Sequence, residues 1–178
     1  MHEFIEFIIS HGAYAPWTIF GIILLAGFNI PISIDIVIVL SAFLAATHLP
    51  EHAFSFYLSI LFGCYFSAMI AYWIGRTLGT KLFKISWFSK LIPPERFKKV
   101  SHFYEKYGLI TLIVGRFIPF GIRNCIFMTT GMSKVNFGKF ILRDAIACLL
   151  WSSLCFYAFY TLGLNYQVLM AHVKVINL

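Results

Sequence analysis

Phe28-Asn29-Ile30-Pro31-Ile32-Ser33 breaks an apolar stretch that runs from Ala15 to His48. Residues 7–50 hold no Lys, Arg or Glu, and Asp35 is their single Asp. As one helix, residues 15–48 would extend about 51 Å, against a hydrocarbon core of about 30 Å. Two full spans would need roughly 40 residues, and Pro31 denies a helix one backbone donor. The segment therefore reads as two half-length helices that meet at the Pro turn and return to one face, a re-entrant hairpin. Irregular backbone at that depth is tolerated where protein buries it or water reaches it. One tilted, Pro-kinked span is the alternative reading.

The composition agrees with a lipid solvent. Of 178 residues, 60% are hydrophobic and 12% charged, with a mean hydropathy of +0.84. A soluble domain keeps roughly a quarter of its residues charged to cover its surface. Met1-His2-Glu3 lacks a basic n-region, so no cleaved signal peptide is expected. Cys64, Cys125, Cys148 and Cys155 sit singly in apolar runs and read as packed thiols. His48, Glu51 and His52 have helical metal-ligand spacing but lie in a short loop, so neither a metal nor a cofactor is expected.

Outward from the first hairpin, residues 53–75 form an uncharged run ending at Trp73-Ile74-Gly75-Arg76, which fits a transmembrane helix. Residues 77–107 are a basic linker. With Arg76 it holds Lys81, Lys84, Lys90, Arg96, Lys98, Lys99 and Lys106, eight of the chain's 14 basic residues. The positive-inside rule assigns it to the cytoplasm. Pro93-Pro94 opens an amphipathic helix there with Phe97, Val100, Phe103 or Tyr104, and Tyr107 on one face, lying on anionic headgroups. The basic residues crowd against membrane spans, so the net charge of +7 does not indicate nucleic acid. The first ten residues look interfacial.

Residues 108–132 are apolar again, but Arg116 and Arg123 flank Phe117-Ile118-Pro119-Phe120-Gly121-Ile122. Each flank is too short to span, so a second re-entrant hairpin is expected, followed by a span at 141–163 and a short tail at 164–178. A shift of 88 positions lays Ile30-Pro31 on Ile118-Pro119, Tyr72 on Tyr160, Gly75 on Gly163 and Asp35 on Arg123. The expected fold is one all-α integral membrane domain. It has two oppositely oriented repeats, at 15–76 and 108–163, each a re-entrant hairpin plus a transmembrane helix. Pro31, Pro119 and Gly121 mark the hairpin turns.

An Arg or Asp at the centre of a membrane helix costs on the order of 2.5–3.5 kcal/mol on insertion scales, so such residues are paired, wet or awaiting a ligand. Arg116 and Arg123 offer guanidinium forks suited to phosphate, and Asp35 is the natural proton carrier. A permanent Asp35–Arg bridge that merely pins the hairpins is the alternative. Asn124, Asp144 and Arg76 are secondary polar candidates. Gly75-xxx-Gly79 is a weaker helix-packing candidate. With no nucleophile motif, Walker loop or paired catalytic carboxylates in the chain, an enzyme is not expected.

At Arg116-Phe-Ile-Pro-Phe-Gly-Ile-Arg123, followed by Gly131-Met132 and Phe137, the chain resembles the DedA family of membrane proteins, the SNARE-associated or VTT-domain superfamily. Pro31-Ile-Ser-Ile-Asp35 with the Ala-Phe-Leu-Ala run at 42–45, Tyr72-Trp-Ile-Gly75-Arg76-Thr-Leu-Gly79, and Trp151 with Asp144 agree in order. The resemblance implies carriage of undecaprenyl phosphate or phospholipid across the bacterial cytoplasmic (inner) membrane by a multi-pass protein driven by the proton gradient. Arg116 and Arg123 then take the places of the family's essential arginines, and Asp35 that of its acidic residue. The arginines are seven apart here where many members have six, and the second acidic residue usual upstream of the first turn is missing. The expectation is a lipid-phosphate flippase whose partners are an anionic lipid, protons and the membrane, its hydrocarbon chain staying in lipid. A homo-oligomer is left open, and the alternatives are an uncoupled phospholipid scramblase or a non-transporting scaffold.

Overall fold

The computed structural model describes residues 14–28, 30, 32–79, 81, 94–118 and 122–176. Pro31, Pro119 and Gly121, the interfacial N-terminus and most of the basic linker before Pro94 lie outside them. The described chain is all helix and turn. Its elements are α1 (Ala15–Ala26), α2 (Ile34–Thr47), a 3-10 turn (Pro50–His52), α3 (Ala53–Leu78), α4 (Pro94–Tyr107), α5 (Leu109–Phe117), α6 (Ile122–Met132) and α7 (Phe137–Ile176).

Where one kinked helix was the alternative, α1 and α2 are separate. Their 12 and 14 residues extend roughly 18 and 21 Å. Helices α5 and α6, of 9 and 11 residues, are shorter still. All four fall short of the roughly 30 Å hydrocarbon core, which α3 with 26 residues and α7 with 40 exceed. Pro16 opens α1 where a missing N–H costs nothing. Gly79 closes α3 at φ 50°, and Gly108 at φ 40° makes the joint between α4 and α5, both conformations that favour glycine.

The last helix departs from expectation. A span at 141–163 followed by a separate tail was anticipated, but α7 runs unbroken from Phe137 to Ile176. No proline interrupts it, and Gly163 is held against Ala46 and Phe43 of α2, where a side chain would not fit.

The two long helices hold the short ones. Helix α3 packs on α1 and α6, α7 packs on α2 and α5, and the two long helices touch each other. One apolar cluster gathers Ile23, Ile38, Phe56, Ile60 and Trp151. A second gathers Tyr72, Leu112, Phe127, Met128 and Phe140, and takes in Tyr104 of the amphipathic helix. Cys64, Cys125 and Cys148 are buried as free thiols. Outward, Phe54, Phe62, Trp73, Leu142, Leu154 and Tyr157 stand exposed on α3 and α7, which suits lipid rather than water.

The α3–α6 crossing explains the Tyr72…Gly75-Arg76 motif. A Cβ on Gly75 would overlap the Met128 carbonyl, and one on Gly131 would overlap the Tyr72 carbonyl. The two backbones therefore touch through paired glycines. Beside them Tyr72 stacks on Phe140 at 4.7 Å and donates to the Val135 carbonyl. Arg76 donates to the Tyr72 hydroxyl at 2.7 Å and to Val135 at 3.0 Å. Of the Gly75–Gly79 pair, only Gly75 works as a packing glycine; Gly79 has open space around it.

Gly131→Ala is expected to lower stability by at least about 1–3 kcal/mol through overpacking. Gly21→Ala, whose new methyl meets nothing within 4 Å, is expected to stabilise α1 slightly. Thermal unfolding of the two variants in detergent checks the opposite signs.

Candidate functional site: paired charges where the short helices meet

Arg116 is in the last turn of α5, with its guanidinium turned inward. Its Nε and Nη2 donate to Asp144 Oδ1 at 3.2 and 2.8 Å, and Nη2 donates to Oδ2 at 2.7 Å. Both side chains are out of solvent, at 0% and 1% exposure. The guanidinium carbon lies 5.1 Å from the centre of the Phe127 ring. A bidentate pair this dry has its Coulomb attraction and its hydrogen bonds to offset desolvation.

Arg123 is in the first turn of α6, where the helix dipole disfavours a cation. Its Nη2 donates to Asp35 Oδ1 at 2.8 Å and to the Arg116 carbonyl at 3.2 Å, one of the orphan acceptors at the end of α5. Its guanidinium lies 4.0 Å from the centre of the Trp151 ring, within cation–π range. This second pair is unlike the first. The Arg123 side chain is 6% exposed but that of Asp35 is 36% exposed. Asn124 completes the junction, donating to the Ala26 carbonyl at 2.7 Å, so α6 caps the end of α1.

A cavity of about 30 Å³ opens here, lined by Ser33, Asp35, Ile118, Arg123 and Asn124 among others. That is room for a water or two, roughly. The N-termini of α2 and α6 both face it, and helix N-termini favour anions. Three buried guanidinium donors, Arg116 Nη1, Arg123 Nε and Arg123 Nη1, have no hydrogen-bond partner among the described residues. Unpaired buried donors of charged groups are costly. The junction thus holds more positive hydrogen-bonding capacity than its own carboxylates use, and it can accept an oxyanion.

Of the residues singled out in the sequence, Asp35, Arg116, Arg123, Asn124 and Asp144 come together at this junction. Arg76 does not, and is bonded to Tyr72 and Val135 instead. The pairing of Arg116 with Asp144 was not anticipated, nor was Trp151 as the ring under Arg123. A signal for the first was present, since Asp144 is an acid inside an apolar run that offers it no partner except the adjacent Arg143.

The VTT domain model matches residues 30–161. An inner membrane protein of Borreliella burgdorferi is 35% identical over 176 residues, covering 99% of this chain and 83% of that protein. Protein DedA of Escherichia coli is 32% identical over 115 residues, 61% of this chain and 52% of its own length. The inner membrane protein YqjA of Escherichia coli is 32% identical over 89 residues, 50% of this chain and 38% of that protein. No solved structure matches the chain.

Proposed function

The chain belongs to the DedA family of VTT-domain membrane proteins, a multi-pass protein of the bacterial inner membrane, and we propose from that premise that it carries a lipid phosphate across the bilayer. The observation that carries the reading is the surplus of buried guanidinium donors at a junction where two helix N-termini and one part-exposed carboxylate meet.

The steps follow from the difference between the two ion pairs. Arg116 is held by Asp144 through both carboxylate oxygens, and it acts as the fixed wall of the site. Arg123 is held by Asp35 through a single oxygen, and Asp35 is part-exposed. The cavity is too small for a phosphate beside the carboxylate, so the phosphate takes the place of Asp35 on Arg123. Asp35 that accepts a proton gives up its claim on Arg123 and admits the phosphate; Asp35 that loses it reclaims Arg123 and expels the phosphate. One carboxylate is thus sufficient for exchange. The group carried belongs to the class of polyprenyl phosphates, with undecaprenyl phosphate implied by the family, and the site moves it without breaking a bond.

Alternating exposure needs two states related by the fold, and we take these to be two inverted repeats built on re-entrant hairpins. Gly75 of α3 meets α6 beside Gly131, and a shift of 88 carries that contact onto Gly163 and Phe43, where α7 meets α2. Asp35 and Arg123 are themselves 88 apart and in contact, as residues near a pseudo-twofold axis would be. These matches support the repeat reading.

An uncoupled phospholipid scramblase would use the same arginines without the proton. Proteoliposomes loaded with a labelled polyprenyl phosphate separate the two. An imposed pH gradient is expected to change the transport rate of the native chain, and Asp35→Asn to abolish that dependence. Equal rates with and without the gradient in the native chain would favour the scramblase.

A further inference from the structure

A second and larger volume lies beside the charged junction. Helices α4 and α5 fold back on each other at Gly108, and the Thr111 hydroxyl donates to the Phe103 carbonyl across the joint at 3.1 Å. Between them opens a groove of about 570 Å³, within the size range of ligand sites. Lys99, Phe103 and Tyr107 line it from one helix, spaced four apart so that they share a face. Ile110, Val114 and Ile118 line it from the other, and Ile126 of α6 contributes as well. Phe103, Tyr107, Ile110 and Val114 are all exposed, so the groove is open along its length.

Two features identify what fills it. First, Ile118 lines both this groove and the small cavity at Arg123, so the two volumes share a wall. Second, the groove has polarity. Lys99 lies nine positions before Gly108 and Ile118 ten after it. At 1.5 Å per residue both stand roughly 14–15 Å along their helices from the joint. The exposed cation and the wall shared with the anion cavity thus border the groove away from the joint, and the joint end, at Tyr107 and Ile110, is apolar. A molecule with one anionic terminus and a long apolar body matches that arrangement; a zwitterionic or neutral lipid does not use its charge.

We propose that this groove seats the hydrocarbon chain of the carried lipid, with its phosphate end at Lys99 and Ile118 next to Arg123. The inference rests on the phosphate-carrier reading and goes beyond it, because the chain is then selected by the protein instead of trailing in bulk lipid. Ile118 is the wall the phosphate passes in moving from Lys99 to Arg123.

The test uses the full chain in proteoliposomes of zwitterionic phospholipid. The probe is a polyprenyl phosphate with a photoreactive diazirine midway along its chain, beside the matching polyprenyl alcohol. After irradiation, adducts are mapped by mass spectrometry. The phosphate probe is expected to label Phe103, Tyr107, Ile110 and Val114 several-fold above the outward residues Phe62 and Leu154, with no such enrichment for the alcohol. Val114→Trp, at an exposed position that tolerates bulk, should remove the enrichment while the protein elutes and unfolds as the native chain does. Equal enrichment by alcohol and phosphate would overturn the proposal, since the groove would be a seat for bulk lipid. Labelling near Ser33 and Trp151 without the groove would overturn it while leaving the phosphate reading standing. Uniform labelling everywhere would overturn it too, since the chain would then trail in bulk lipid; the phosphate reading is tested apart from this by the loss of transport in Arg123→Ala.

Discussion

Asp144→Ala is expected to destabilise the protein by about 3–5 kcal/mol, the cost of leaving a buried charge without its partner. Among the described residues, Arg116 bonds to no other acceptor. Its guanidinium is fully out of solvent, and Asp144 takes three of its hydrogen bonds. Marginal stability of about 5–15 kcal/mol makes a loss of this size a loss of much of the folded population. The double variant Arg116→Met with Asp144→Leu is expected to recover stability close to the native chain, because removing both charges removes the desolvation cost with them. Its transport should stay low, as the fixed wall of the phosphate site is gone. Thermal unfolding in detergent reads the first effect and proteoliposome transport the second. An Asp144→Ala variant as stable as the native chain would show that this pair is not the frame of the junction.

The parts of this fold that could be read from the residues were those in which one segment carries its own signal. Pro31 in an apolar run too long for one span and too short for two, and Pro119 between flanks too short to span alone, foretold pairs of half-length helices. Helices α1 and α2, and α5 and α6, have the lengths that follow. The uncharged run at 53–75 became most of α3. What stayed hidden depended on contacts between segments. Gly75 was placed near a span end and discounted, yet it is where α3 and α6 backbones meet, because its partner Gly131 lies in a separate helix far along the chain. Asp144 stands beside Arg143 in the chain but pairs with Arg116, 28 positions away. Helix α7 outran its expected end because no proline or glycine after Gly163 stops it.

The site divides in the same way. Charges inside apolar segments announced themselves by residue type, and the shift of 88 laid Asp35 on Arg123 as equivalent positions, but it left open which arginine Asp35 touches. Which arginine is free to take a ligand could not be read from sequence, since both have the same fork and similar flanks. Burial decides it: Arg116 is sealed with Asp144, and Arg123 shares a third-exposed carboxylate.

Arg123 is therefore the residue on which the account turns, and its loss is expected to have the largest functional effect. Truncating one partner of a buried hydrogen-bonded charge pair costs on the order of 2–5 kcal/mol of binding, which is roughly thirtyfold or more in affinity. Folding should survive, because the partner left behind, Asp35, is part-exposed rather than sealed like Asp144. The most direct measurement is transbilayer movement of a labelled polyprenyl phosphate in proteoliposomes. It compares the native chain, Arg123→Ala, and the exchange variant Asp35→Arg with Arg123→Asp. Movement is expected in the native chain and none above background in either variant, with the exchange variant folded because its ion pair is kept. Movement restored by the exchange would contradict that expectation, leaving a salt bridge that only pins two hairpins together.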